Sequence, residues 1–418
     1  MLLAGFGQAD ITPRQHGLMS GYYLRTKSST GIHDPLSVRV LMLKSGSTAC
    51  AFCVLDLIGI PDHLLTGIRA QVGRVLSLPP AAIQICATHT HAGPDSILPA
   101  SPAFDPGYVE SLCAASAQAA RHAFESLHPA TASYAHTSAD GVGCRRGMPR
   151  EKSAFSMPCD TVIFASPSHR SIMMTVFACH PTVLNEDNLL ISRDLVYGCD
   201  KRLRELVPDT DFLFFNGSCG DISTRYTRQE SSFREVERLG ALWAEAVFQS
   251  LSHAEEITDV LWYQKNTLFV PPASYFSESE RLEIIHYLES KIAACTDSQE
   301  KREYQASHSA LVMPGYGSGK GCHAELTVVG LGDLALCMMP FEAASSDTQA
   351  LGKEILARYG LRSVFFGYSN GNECYLPSGR PLDRDSGYED MMASVRHDAK
   401  YRVMDAFLGM ISHRFQTD

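Results

Sequence analysis

Nowhere does an apolar run approach the roughly 20 residues needed to span a bilayer, so no transmembrane segment is expected. There is no basic block either. Lys and Arg number 36 against 46 Asp and Glu, a net charge of −10, which disfavours nucleic acid and anionic membrane surfaces as partners. The first residues, Met-Leu-Leu-Ala-Gly-Phe-Gly, lack the basic-then-apolar order of a secretory leader. No internal repeat, low-complexity tract or Gly/Ser-rich linker divides the sequence. Cysteine is present but odd in number, 13 residues scattered mostly through apolar runs such as 50–53. That pattern predicts reduced, buried thiols in a cytoplasmic protein rather than a disulfide framework. What the chain does have is core material: 418 residues, 45% apolar and 20% charged, which excludes disorder and small stapled scaffolds.

Short β-rich runs alternate with helical patterns, predicting an α/β fold with a central mixed sheet flanked by helices. Strands are expected at 51–57, 83–88, 171–179, 212–215, 326–329 and 363–367. Val109, Leu112, Cys113, Ala117, Ala120 and Phe124 follow three-four spacing and predict a helix over 108–124. Phe233, Val236, Leu239, Trp243 and Val247 define another, and Tyr401, Val403, Phe407 and Ile411 a last one near 395–415. The segment 277–309 is rich in Glu, Lys, Arg and Gln, with an apolar stripe at Leu282, Ile285, Tyr287, Leu288 and Ile292. It reads as a helical hairpin closed by the Gly- and Pro-containing run 314–321, an appendage on one domain spanning 1–418.

Three strand ends carry candidate chemistry. After the apolar run at 83–88 comes His89-Thr90-His91-Ala92-Gly93-Pro94. Residues two apart in an extended chain point the same way, so His89 and His91 would converge on one space, suited to a metal or to proton transfer. His180-Pro181 ends a second apolar strand, and Pro181 keeps His180 from turning helical. Ligands gather at the carboxyl ends of strands in open sheets, which makes two such histidine sites more telling than one. The third end, Asn216-Gly217-Ser218-Cys219-Gly220-Asp221-Ile222-Ser223, is a small, polar loop that could present Asp221 and Ser223. It is neither a Gly-x-Ser-x-Gly elbow nor a phosphate loop. Glu342 follows another apolar strand, and Tyr375 and Tyr388 lie in Gly- and Pro-rich loops; spacing alone would single out none of these.

Taken in order, these pieces resemble the neutral (non-lysosomal) ceramidase family along most of the chain. The matching motifs are Ala4-Gly5-x-Gly7-x-Ala9-Asp10-Ile11-Thr12, Gly31-Ile32-His33-Asp34-Pro35-Leu36 and Asp56 in Leu55-Asp56-Leu57. Then come Thr88-His89-Thr90-His91-x-Gly93-Pro94, Arg145 in Cys144-Arg145-Arg146, His180-Pro181-Thr182 and Ile191-Ser192-x-Asp194. Asn216-Gly217-x-Cys219-Gly220-Asp221-Ile222-Ser223, Pro340-x-Glu342 and Gly371-x-x-x-Tyr375 complete the series. The resemblance implies a zinc amidohydrolase acting on a ceramide-like N-acyl substrate. By position, His89, His180, Glu342 and Tyr375 would hold Zn2+. His91 would sit beside the metal-bound water, Arg145 and Tyr388 would face the substrate carbonyl, and Ser223 would contact the polar head. Nitrogen and carboxylate ligands suit zinc, whereas a phenol is an unusual fourth ligand.

Departures fall on the substrate side. The family's Ser-Pro-Asn is here Ser223-Thr224-Arg225, and its Pro-Gly-Glu-Phe is Pro340-Phe341-Glu342-Ala343. Arg225 puts a positive charge near the presumed head-group end, favouring a substrate with a carboxylate, phosphate or several hydroxyls. Pairing of Arg225 with Asp221 or Glu230 is the plain alternative. A different class remains open: a carbohydrate-active enzyme on the same metal scaffold, with Ser223, Arg225, Asp221 and Asn216 as substrate-binding groups. In either case the partner is a small molecule.

Overall fold

Residues 1–22, 25–97, 106–146, 156–313 and 316–416 are described by the structure, a computed structural model. Pro314 and Gly315, the start of the run expected to close the hairpin, lie outside them.

The α/β class expected from the sequence is what forms: among the described residues, three larger mixed sheets flanked by helices, with two two-stranded ladders, Gly31–Ile32 with Leu190–Ile191 and Cys144–Arg145 with Ile222–Ser223. The first sheet runs Ile83–Ala87, Thr48–Leu55, Ser37–Ser45, Leu2–Asp10, His128–Pro129. The second runs Thr210–Asn216, Ser171–Phe177, Pro158–Ala165, Thr131–Ser138, Glu255–Ile257. The third runs Leu261–Val270, Cys322–Leu331, Leu334–Met338, Arg362–Phe366. Each sheet has one parallel pair, at its edge: Thr48–Leu55 with Ile83–Ala87, Ser171–Phe177 with Thr210–Asn216, and Leu334–Met338 with Arg362–Phe366. A parallel pair needs a crossover. Helices Asp62–Leu76, Leu195–Leu206 and Ser345–Tyr359 supply the three.

The sheets turn their inner faces to a common core. Phe215 of the second sheet lies 6.2 Å from Phe52 of the first and 5.3 Å from Phe366 of the third, centroid to centroid. Outside, helix Pro106–Glu125 presses on strand Leu2–Asp10, so closely that a Cβ at Gly7 would lie 2.0 Å from the Ala119 carbonyl. That contact explains the Gly5-x-Gly7 motif, and it leaves Ala119, Ala120 and Ala123 buried while Phe124, expected on the apolar stripe, is exposed. Helices Leu195–Leu206 and Phe233–Ser250 cross at Gly198 and Gly240. The expected hairpin is present as Glu278–Ala294 and Ser298–Val312, started by a Ser277–Glu280 capping box and an Asp297 cap. No described helix is long and apolar enough to cross a membrane. Every cysteine is a free thiol.

What the fold provides for function is the meeting of strand ends. Beyond the parallel pairs the chains leave their sheets and bond to one another. Ala87 N donates to Tyr368 O at 3.0 Å, Gly367 N to Asn216 O at 3.1 Å, and Gly220 N to Ala343 O at 2.9 Å. Asp34, Asp56 and Asp194 of the sequence motifs brace the loops beneath. Asp56 accepts from the Ser37 backbone and hydroxyl, Asp34 from Ser192 and Arg193, and Asp194 from the backbones of Val183, Leu184 and Leu195.

Candidate metal centre

His89 stands two residues past the strand Ile83–Ala87, in a left-handed backbone conformation with φ of 65°. Such a conformation is strained for a residue with a Cβ, by about 1–3 kcal/mol. Two bonds hold it: its N–H donates to Leu57 O at 2.9 Å, and its Nδ1 donates to Ile58 O at 2.6 Å. A proton committed at Nδ1 leaves the Nε2 lone pair for a ligand. His180 repeats the device, its Nδ1 donating to Cys219 O at 2.8 Å and Ile222 O at 2.9 Å. Its Nε2 faces Glu342 Oε2 at 3.1 Å, and that oxygen is 3.8 Å from His89 Nε2. His91 Nε2 lies 3.2 Å from His89 Nε2, and one ring nitrogen from each of His89, His91 and His180 fits within 4.8 Å. Bonds of about 2.0–2.1 Å to a tetrahedral zinc put neighbouring donors about 3.4 Å apart. The spacings here fit a shared ion.

Charge follows the geometry. Burial, only partly offset by Glu342, lowers the His89 pKa to about 4. Burial, with His89 and His180 alongside, holds His91 well below its ordinary value. Both are neutral near pH 7. For His180 burial again opposes the charge, but contacts with Cys219 and Glu342 outweigh it and push the pKa up to about 9. Burial would raise Glu342; His89, His180 and Arg146 prevail and lower it to about 2. The pocket therefore holds a carboxylate and one imidazolium, and a divalent cation would take the place of that proton. His91 is braced from behind by Arg25 Nη1, which donates to His91 O at 2.8 Å, and by the Tyr22 ring at 5.2 Å. A Cβ at Gly21 would come within 2.3 Å of the His91 ring. The Nδ1 of His91 is buried with no partner among the described residues.

On the substrate side the two adjacent arginines take different partners. Arg145, the arginine expected from the sequence, lies 3.3 Å from Asp221 and 3.4 Å from the Ser345 hydroxyl. Arg146 enters the site: Nη2 donates to Tyr375 OH at 2.6 Å and Gly220 O at 2.7 Å, and Nε to Glu389 Oε1 at 2.8 Å. The reason is strand alternation. Cys144–Arg145 pairs with Ile222–Ser223, and Arg146 N continues the ladder to Asp221 O at 2.8 Å, so consecutive side chains take opposite faces. Tyr375 lies beside Glu342 through a backbone bridge, and burial raises its pKa well above the ordinary value. Tyr388 meets Tyr375 edge-on at 5.7 Å, and the Arg146 guanidinium is 5.8 Å from the Tyr388 ring.

The remaining expected substrate groups are engaged by the protein. Asp221 caps helix Ser345–Tyr359, accepting from Ser345 N at 2.7 Å and Ser345 Oγ at 2.9 Å. Ser223 is buried, and its Oγ accepts from Arg225 N at 3.3 Å. Asn216 donates to Thr88 O at 3.3 Å, between strand ends. Arg225 lies 3.6 Å from Glu303 of the hairpin, a partner that proximity in sequence did not bring forward. Sequence reasoning also passed over Tyr368, which stacks on His89 at 3.9 Å and donates to Glu342 Oε2 at 3.1 Å, and Glu389. Tyr368 sits in a loop and Glu389 in a five-residue helix, where a tyrosine or glutamate carries no periodic signal.

Residues 2–205 match the family model described as neutral/alkaline non-lysosomal ceramidase, N-terminal. This stretch contains His89, His91, Arg146 and His180, and Glu342, Tyr375 and Tyr388 lie beyond it. Among solved structures, the neutral ceramidase from Pseudomonas aeruginosa is similar, with a TM-score of 0.76 at 16% identity, over 98% of this chain and 74% of that one. A ceramidase complexed with C2 gives a TM-score of 0.76 at 15% identity, over 100% of this chain and 75% of the other. At such identities the likeness establishes a shared fold. No curated protein sequence matches the chain.

Proposed function

We propose that this chain, a member of the neutral/alkaline non-lysosomal ceramidase family through residues 2–205, is a zinc-dependent hydrolase that cleaves the amide bond of a ceramide-like N-acyl substrate. One observation carries the reading: Nε2 of His89 and His180 and Oε2 of Glu342 converge from the ends of three different sheets, with His91 Nε2 beside them. His89, His180 and Glu342 would hold the ion, with the Tyr375 phenol as the remaining candidate. When bound, zinc polarises an amide carbonyl and makes a water more acidic.

The chain's own residues account for the rest. His91, neutral at pH 7, takes a proton from the attacking water and returns it to the amide nitrogen, so that a C–O bond forms as the C–N bond breaks and the amine leaves. Arg146, fixed on three sides, and Tyr388 would donate to the acyl oxygen as it gains charge. Because His89 and Glu342 come from opposite halves of the sequence, the reading takes 1–418 as one hydrolase domain with the hairpin inserted. A glycan reading is weaker, since Ser223, Asp221 and Arg225 are each bonded within the protein.

The test joins metal analysis to a substrate panel. Purified protein should carry one zinc per chain, lose it on His180→Ala, and release fatty acid from an N-acyl sphingoid base but not sugar from glycosides. Zinc-free protein whose metal content ignores His180→Ala, or glycoside cleavage without amide cleavage, would defeat the proposal.

A further inference from the structure

Arg146 is held by a helix that could not hold itself. Tyr388–Met392 has five residues, far below the length at which a helix is stable in water. Yet its first turn supplies both the Tyr388 ring and the Glu389 carboxylate that fix the guanidinium. Its support is the hairpin. Met391 is buried in one cluster with Ile284, Ile285 and Leu288 of the first hairpin helix and Ala310 and Leu311 of the second. Tyr287 OH donates to Asp385 Oδ1 at 3.0 Å, just ahead of the short helix. The second hairpin helix is pinned elsewhere as well: Glu303 accepts from Tyr226 OH and pairs with Arg225, in the loop that follows Ser223. Ser223 in turn bridges to His180 through the backbone. One appendage thus ties the loop on Arg146's side to the loop on the histidine side.

We propose that Glu389 is a positioning residue for Arg146 and that the hairpin Glu278–Val312 is the clamp that keeps it in place. The proposal rests on the reading of Arg146 as the donor to the acyl oxygen. An arginine has a long, rotamer-rich side chain, and its guanidinium serves a developing charge only if its direction is set beforehand. Gly220 O and Tyr375 OH fix one nitrogen; Glu389 fixes Nε and so the plane of the fork. Release of the short helix removes that third point while the histidine cluster, built on the strand ends, stays whole.

The experiment uses the full-length, zinc-loaded protein and its Glu389→Gln, Leu288→Ala and Glu303→Gln variants. Five quantities are read: kcat and KM on a short-chain N-acyl sphingosine, zinc stoichiometry, amide exchange, and the rate at which phenylglyoxal modifies Arg146, mapped by mass spectrometry. Loss of a charge-assisted bond should lower kcat about tenfold or more in Glu389→Gln, with KM and zinc content unchanged. Leu288→Ala should speed both Arg146 modification and amide exchange in 388–392, lower kcat in the same direction, and leave exchange at 177–182 unaltered. Glu303→Gln should do so more weakly. Wild-type kcat in Glu389→Gln, or activity lost only together with zinc, would overturn the clamp. If the wild-type protein cleaves no N-acyl amide, the functional reading fails instead, and the modification rates decide the clamp: unchanged reactivity of Arg146 in Glu389→Gln and Leu288→Ala refutes it.

Discussion

Adjacent arginines on opposite faces of one strand permit a sharp comparison, Arg146→Ala against Arg145→Ala. Arg146 makes three short hydrogen bonds, two of them to Tyr375 and Glu389, and its side chain is 7% exposed. Removing a preorganised donor to the acyl oxygen should lower kcat by about 10²–10³-fold. Stability should fall too, because Glu389 loses its counter-charge; breaking a buried pair costs about 3–5 kcal/mol, and partial exposure of Glu389 puts this case near the lower figure. The sign with pH follows. Burial already raises the Glu389 pKa, and loss of Arg146 raises it further, so the folded state of the variant binds the proton more readily than the unfolded chain. The deficit should be full above the folded pKa and shrink as pH falls toward the unfolded value. Arg145, with a side chain 39% exposed, 3.3 Å from Asp221 and 3.4 Å from the Ser345 hydroxyl, should cost less than about 1 kcal/mol and leave turnover within about fivefold. Initial rates on an N-acyl amide and urea melts at two pH values read both effects. Turnover abolished in folded Arg145→Ala but retained in Arg146→Ala would refute the assignment.

Zinc uptake at pH 6.5 should release about one proton, since only His180, with a pKa near 9, must give one up; His89 near 4 and Glu342 near 2 are already deprotonated. Apparent zinc affinity should then rise about tenfold per pH unit between pH 6 and 8, and calorimetry in buffers of different ionisation heat that finds no proton release would contradict the charge assignment. His91→Ala should cut turnover about 10²-fold with zinc retained, whereas loss of the metal would make His91 a ligand. Gly240→Ala should lower the melting temperature, because a Cβ there would lie 2.3 Å from the Gly198 backbone and overpacking costs about 1–3 kcal/mol; an unchanged melt would disprove the close helix crossing.

How much of this was legible in the sequence depended on how local each signal is. Ile83–Ala87, Ser171–Phe177 and Thr210–Asn216 are buried runs with apolar composition, and they were visible as strands. Leu261–Val270 is buried only at its two ends, with the polar Gln264, Lys265 and Asn266 half-buried or exposed between them, and Leu2–Asp10 carries two glycines; neither announces a strand. Division into three sheets is a matter of long-range pairing that no local pattern encodes. His89, His91 and His180 stood out because two histidine sites, each after an apolar strand, are more telling together than either is alone. Arg146 did not, since choosing between neighbours requires the register of Cys144–Arg145 on Ile222–Ser223.

The departures from the family pattern take on meaning by where they sit. Phe341, in place of the family's glycine, is fully buried in the core between the third sheet and its covering helices, next to Glu342 in sequence but on the packing side. Arg225, expected either to favour a carboxylate, phosphate or several hydroxyls or to pair with Asp221 or Glu230, is paired with Glu303 from the hairpin. An ion pair offers a donor and an acceptor side by side with no net charge, and therefore gives no preference for a carboxylate or phosphate. The argument for drift toward anionic substrates thereby loses its residue. On the substrate side the hairpin supplies Glu303 and braces Tyr388 and Glu389, while the groups that would hold the metal hang from the sheets themselves. Substrate preference can change through the first set of contacts without disturbing the second.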